Sequence, residues 1–381
     1  MASFGSATAR LAGYSIIFIG TVLTILFTTD HPVTLSAPVK VGRLEVGLNQ
    51  GVPTRSNGPA DYGGRNALLV ICFDKPGKTS MLSGCRVTLA SFRRSNSDDD
   101  IIVIAPSRDY VGGLSELKDR LGLKFEFVGL GPYQCRIQQD CKQLPLFSYG
   151  NVHHYDYQQK GKFTGNALRH VWYDEVMSRV GDSYDRLLIA DGKDVYFQAD
   201  PFSISTRLGQ PCREKVCLFS EPRNDRMAKF FVKKTREISH CLSQKQREYV
   251  MEKRRGGYAN GGVLLGSAAH LQALCRSVVA KANECDFWQA DQHYVNIVIS
   301  MLDIPFHLFE DGTFGTMVKT NVSGWRSWRT SSSGWLQSTG PLAGRTPLSF
   351  VHQYQWSEDL KKFIEADVGA WLHNDWNYSR C

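Results

Sequence analysis

No Cys-x-x-Cys pair occurs in this 381-residue chain, although it holds ten cysteines, at 72, 85, 135, 141, 212, 217, 241, 275, 285 and 381. Zinc sites built from closely paired cysteines are thereby excluded. Also missing are Gly-x-Ser-x-Gly, a Walker-type phosphate loop, His-Glu-x-x-His, and Gly-x-Gly-x-x-Gly after a strand. Serine hydrolases, P-loop nucleotidases, zinc proteases and dinucleotide-dependent dehydrogenases each lose their central residues. Basic residues form no dense stripe; they stop at groups such as Lys233-Lys234 and Lys253-Arg254-Arg255. A net charge of +8 suits small anionic ligands and falls far short of a nucleic-acid-binding signature. Neither an internal repeat nor a low-complexity tract beyond residues 28–65 is present.

Charge is absent from Leu11 to Phe27, between Arg10 and Asp30. These 17 residues lie at the short edge of a bilayer span and are long for a signal-peptide core. With Arg10 ahead of it, the run predicts a transmembrane signal anchor: a cytosolic tail over 1–10, a span over 11–27 and everything later in the lumen. A cleaved signal peptide, giving a secreted form, is the rival. A short span suits Golgi or endoplasmic reticulum membranes. Residues 28–65, rich in Pro, Gly, Ser and Thr, read as a stem. The globular domain then covers 66–381. An even cysteine count in a lumenal domain permits disulfides, with Cys135/Cys141 and Cys212/Cys217 as close local pairs. Cys72 and Cys275 stand in apolar runs, where buried free thiols are expected. Asn321-Val-Ser323 and Asn377-Tyr-Ser379 are glycosylation sequons.

The globular part alternates. Strands are predicted at 66–73 (NALLVICF), 99–106, 124–130, 187–190, 215–221 and 261–267. Helices are predicted at 79–93, 114–123, 164–180, 268–281 and 287–301. Within 164–180, Leu168, Trp172, Val176 and Val180 keep helical spacing. Uninterrupted apolar strands alternating with helices predict an α/β fold with a mostly parallel sheet covered on both faces. Ligands of such sheets sit beyond the carboxyl ends of the strands.

The stretch YDRLLIADGKDVYFQADPF, residues 184–202, puts Asp191 at that end, with Asp194 and Asp200 following. Residues three apart on a regular strand face opposite sides, so Asp191 and Asp194 converge only if the strand breaks. Gly192 makes a break easy. Two such carboxylates suit a hard divalent cation carrying phosphate oxygens. The plainer alternative has Asp191 capping a turn, Asp194 solvated and Asp200-Pro201 starting a loop.

LLIADGKDVYFQADPF resembles the signature of glycosyltransferases of the GT-A fold. Three further stretches match the same group in order: YANGGVLLGS (258–267), DQHYVNIVI (291–299) and FVHQY (350–354). The resemblance spans about residues 66–356 and implies a Rossmann-like catalytic domain. Where that group usually has one residue between its two metal-binding acids, this chain has two, and Lys193 stands where Arg is common. The resemblance implies that Asp191 and Asp194 bind Mn²⁺ or Mg²⁺, with Asp191 also on the donor nucleotide sugar. It makes His352 a further metal or diphosphate ligand, against the alternative of a structural histidine. Asn260, Gly261 and Gly262 are implied on the donor sugar, or form a plain turn. Asp291 is implied as a base toward a glycan or glycoprotein hydroxyl, or caps a helix. Gln292 is implied beside the donor. Arg169 is assigned to the diphosphate, or is an exposed helix arginine, and Phe73 and Asp74 to the nucleotide base. The tryptophans of GWRSWRTSSSGW (324–335) and those near the C-terminus are read as sugar platforms or as partly buried rings. A catalytically silent carbohydrate-binding protein on the same fold is the rival function.

Overall fold

The computed structural model describes residues 9–11, 14–19, 22–26, 65–73, 80–128, 167–221, 229, 232–233, 235–253, 258–285, 291–301, 304–317, 328–330, 336–338 and 348–378. The stem, Asp74, Cys135/Cys141, Asn321, most of the 324–335 tryptophan loop and the last three residues fall outside them. The chain divides into two units, Met1–Ala60 and Asp61–Cys381.

In the first unit the described residues of the uncharged run are not helical. It forms three antiparallel strands, β1 (Ala9–Leu11), β2 (Tyr14–Ile19) and β3 (Val22–Leu26). Among the described residues no helix is long and apolar enough to cross a membrane. Ile16, Ile17, Ile19, Val22, Thr24 and Ile25 are β-branched, and Gly20 falls between two of the strands. An apolar run of this composition has no periodicity that separates helix from strand.

The second unit is built on a seven-stranded sheet. Its strands are β4 (Asn66–Ile71), β5 (Asp100–Ala105), β6 (Leu123–Phe127), β7 (Arg186–Ala190), β9 (Val216–Ser220), β10 (Ala259–Gly266) and β11 (Phe306–Phe309), with β8 (Val195–Phe197) standing apart. The order is β11-β9-β10-β7-β4-β5-β6. Four pairings are parallel and two, both of β10, antiparallel. β4, β7, β9 and β10 are buried along their whole length, which is why an apolar run fills the greater part of β4, β7 and β9 and the end of β10.

Alternate residues of each strand serve two cores. Leu69, Ile102, Ile189, Leu218 and Leu264 face the helices Leu168–Val180, Ala268–Glu284 and Asp291–Met301. Leu68, Val103, Leu188, Phe219 and Val263 face the helix Ser80–Ser95 and Leu360 and Ile364 of the helix Glu358–Tyr378. The expected helix 114–123 is instead a 3₁₀ segment, Gly112–Leu117, running into one α-turn, Lys118–Leu121. Gly122, at φ 62°, ends it, leaving too little length for a regular helix.

Three short strands form a second sheet that the sequence pattern did not announce. β12 (Gly315–Met317), β15 (Phe350–His352) and β8 lie in the order β12-β15-β8, while β13 (Trp328–Thr330) and β14 (Leu336–Ser338) make a separate hairpin. β15 runs antiparallel to β8 with His352 opposite Val195. The helix Ser80–Ser95 holds β8 from behind, Thr88 Oγ1 donating to Val195 O at 2.7 Å and Phe197 N to Ser91 Oγ at 3.0 Å. Disulfides join Cys72–Cys85, Cys212–Cys217 and Cys241–Cys285, and Cys275 is a buried free thiol. Cys72, expected as a free thiol, is corrected: the start of the helix Ser80–Ser95 folds back over the end of β4 and brings Cys85 to it.

Candidate metal centre

β7 ends at Ala190, and residues 191–194 turn before β8 begins at Val195. This is the break that the three-residue spacing of Asp191 and Asp194 requires. A Cβ at Gly192 would run into Ile71 O and Cys72 Sγ, so only glycine lets the turn lie this close to the end of β4. The Asp191 amide donates to Gly262 O at 2.7 Å, and Gln353 N to Asp194 O, also at 2.7 Å, so the turn is tied to β10 and to the segment after β15.

The β8–β15 pairing then delivers His352. Its Nε2 lies 3.1 Å from Asp191 Oδ2 and 3.3 Å from Asp194 Oδ1. One ligand atom from each of the three residues lies within 4.8 Å of the other two. Asp194 and His352 are buried, whereas Asp191 keeps 28% of its side chain open and faces the approach. Gln355 Nε2 donates to Asp194 Oδ2 at 3.2 Å, and Asp194 Oδ1, though buried, accepts no hydrogen bond among the described residues. A Cβ at Gly262 would occupy the position of the His352 ring and the Asp191 carboxylate. Two hard carboxylates, one with an unfilled oxygen, and one imidazole fit a divalent cation.

The charges interlock. Burial alone would raise the Asp191 pKa, but Arg169 and His352 hold it down to about 2. Burial would lower that of His352, yet Asp194 and Asp191 raise it to about 10, so the imidazolium balances the acids.

Arg169 does more than an exposed helix arginine would. Its Nη1 pairs with Asp191, while Nη2 donates to Gly261 O at 2.7 Å and pairs with Asp291 at 2.5 Å. Asp291 opens its helix as expected but is buried; desolvation pushes its pKa up against the pull of Arg169. His170, not anticipated as a site residue, is fully buried with Nε2 3.9 Å from Asp291 Oδ2, and burial keeps it well below its usual pKa and neutral.

Beside this cluster, Gly262 N donates to Asn260 Oδ1 at 2.6 Å and Asn260 Nδ2 donates to Glu221 Oε1 at 2.6 Å. Gln292 Nε2 reaches the same oxygen at 3.1 Å. Glu221 is the other residue that sequence reasoning passed over. Its signal was available, since like Asp191 it is an acid directly after an apolar strand. Phe73 lies at the same edge, its ring packed against Tyr110 and Trp172. The structure thus gathers Asp191, Asp194, His352, Arg169, Asp291, Asn260, Gly261, Gly262 and Gln292 at one end of the sheet. Asp200 departs from them: it caps the helix Pro201–Arg207, accepting from Phe202 N and Ser203 N at 3.0 Å each.

No protein-family model matches the chain, and no curated protein sequence does. Among solved structures, the chain is similar to the crystal structure of mouse xyloside xylosyltransferase 1 in its apo form. The TM-score is 0.43 at 13% identity, over 75% of this chain and 97% of that one.

Proposed function

We propose that the chain is a metal-dependent glycosyltransferase, a hexosyl- or pentosyltransferase, moving a sugar from a nucleotide-diphosphate donor to a hydroxyl of a glycan or glycoprotein. The observation that carries this reading is the convergence of Asp191, Asp194 and His352 at the carboxyl edge of a doubly wound sheet. Asp191, Asp194 and His352 would hold Mn²⁺, which when bound neutralises charge on a leaving diphosphate. Arg169 fixes the orientation of Asp191 and Asp291. Asp291, with its raised pKa, is the proposed base for the acceptor hydroxyl.

The test is a screen of nucleotide sugars for Mn²⁺-dependent hydrolysis and for thermal stabilisation of the full chain. Asp194→Ala should abolish both while the protein stays folded. If no nucleotide sugar binds with or without metal, the proposal fails. The Arg169–Asp291 ion pair favours a second reading, nucleotide-sugar binding without transfer, because a paired carboxylate is a weak base. Metal-dependent turnover excludes it.

The proposal includes a Golgi or endoplasmic reticulum membrane, with the run 11–27 as a type II anchor and the second unit lumenal. An open three-stranded sheet cannot cross lipid, since its edge amides would go unpaired, so anchoring requires this run to become helical in a bilayer. Resistance of the membrane-bound chain to carbonate extraction, with Asn321 glycosylated, is the expected result; full release into the soluble fraction would exclude the anchor.

A further inference from the structure

On the premise that the site takes a nucleotide sugar, we propose that Glu221 reads the sugar ring by accepting a hydrogen bond from one of its hydroxyls. Glu221 directly follows β9, and its amide donates to Tyr258 O at 2.7 Å, which sets it at the edge of the sheet that carries Asp191. It is 3% exposed. One carboxyl oxygen is spent, Oε1 accepting from both Asn260 and Gln292. The other, Oε2, is buried and receives no hydrogen bond among the described residues.

A buried acceptor without a donor is costly to keep, and groups of this kind in a native structure mark a place where something else binds. The chemistry of the missing partner is restricted. It must donate, so it is a hydroxyl or an N–H group; phosphate and carboxylate are repelled. The surroundings are already ordered for that task. Asn260 is held at both ends, by Glu221 and by the Gly262 amide, and Asn296 Nδ2, donating to Gln292 O at 2.7 Å, steadies the helix turn that bears Gln292. Two hydrogen bonds, from Asn260 Nδ2 to Glu221 Oε1 and from Gly262 N to Asn260 Oδ1, connect the Glu221 carboxylate with the cradle of Asp191 and His352. On the proposed function, the hydroxyls of a sugar ring attached to a metal-bound diphosphate would be the donors offered there. A site that pairs a buried polar group with one substrate hydroxyl rejects analogues lacking it strongly.

The experiment uses the Mn²⁺-loaded full chain and compares nucleoside diphosphates alone, UDP and GDP, with UDP-glucose, UDP-galactose, UDP-xylose and GDP-mannose. Each is titrated into the wild type and Glu221→Gln. Melting temperatures are read first, and Glu221→Asp, which withdraws the carboxylate by one methylene, serves as the second variant. The expected result is that diphosphate affinity is unchanged while the sugar nucleotide binds about tenfold more weakly, as for a hydrogen bond to a charged group. Removing one ring hydroxyl, in a deoxy analogue, should weaken the wild type but not the variant. Equal weakening of both ligand classes would reduce Glu221 to a support for Asn260 and Gln292 and overturn the inference. So would an unchanged affinity for the sugar nucleotide. If UDP and GDP bind but no sugar nucleotide gains over them, this inference falls and the metal-diphosphate site stands. If the wild type binds none of the probes, the glycosyltransferase reading itself falls and carries this one with it.

Discussion

His352 carries a proton that the proposed metal ion would have to displace. Its pKa in the folded protein, about 10, lies above the ordinary 6.5. The stabilisation it contributes to the metal-free protein is therefore complete below pH 6.5 and lost as pH rises through about 10. Asp191 works in the opposite direction, its contribution being present above 3.8 and lost as pH falls through about 2. Because each cation bound expels one proton from His352, apparent Mn²⁺ affinity should rise about tenfold per pH unit between roughly pH 7 and 9. Calorimetric titration in buffers of different ionisation enthalpy measures both the slope and the proton released. A flat profile would mean that His352 is not a ligand. Asp200 offers a contrast at the same scale. Asp200→Ala removes a helix cap and should cost about 1 kcal/mol in chemical denaturation, leaving Mn²⁺ affinity intact. Read from the sequence, Asp194 was assigned to the cation and Asp200 was not; in the structure Asp200 caps a helix instead.

At the scale of elements, the site depends on β10 lying flat against the β7 turn. Gly262 is the contact point, and a methyl group there meets His352 and Asp191 together. Gly262→Ala should lower stability by about 1–3 kcal/mol through overpacking. It should also reduce Mn²⁺ affinity at least tenfold, since misplacing two ligands forfeits more than the strain alone. Melting curves with and without Mn²⁺ separate the two effects; unchanged metal stabilisation would show that the ring and carboxylate can move aside. The long strands of the large sheet were legible because burial on both faces writes an unbroken apolar run. The three-residue strands β8, β12 and β15 were not, because three residues carry no measurable period. They nonetheless decide the site, for β15 brings His352 across 161 residues of sequence to Asp191.

For the whole second unit, the Cys72–Cys85 bond ties the end of β4 to the helix that backs β8, and Gly84 of that helix abuts Lys193 O in the acidic turn. Closing a loop of 13 residues restricts the unfolded chain by about 3 kcal/mol. The double variant Cys72→Ser/Cys85→Ser should lose about that much in denaturant titration. Its Mn²⁺ affinity should fall as well, because the turn loses its rear support. A stability loss with unchanged affinity would show that packing of Thr88 and Ser91 on β8 suffices to hold the turn.

By itself the sequence determined the alternation of strands and helices, the edge where ligands gather and the acids that end β7, since these follow from local burial and from the chemistry of single residues. It also carried most of the groups that the structure gathers there, His170 and Glu221 excepted. Tertiary structure alone decided what those groups do to one another. It set Arg169 between two acids, paired Cys72 with Cys85, folded residues 9–11, 14–19 and 22–26 as strands, and left one oxygen of Glu221 without a donor among the described residues. The arrangement of the site depends on residues distant in sequence meeting, as Arg169 and Asp291 do at 2.5 Å, and no local pattern encodes which distant partner arrives.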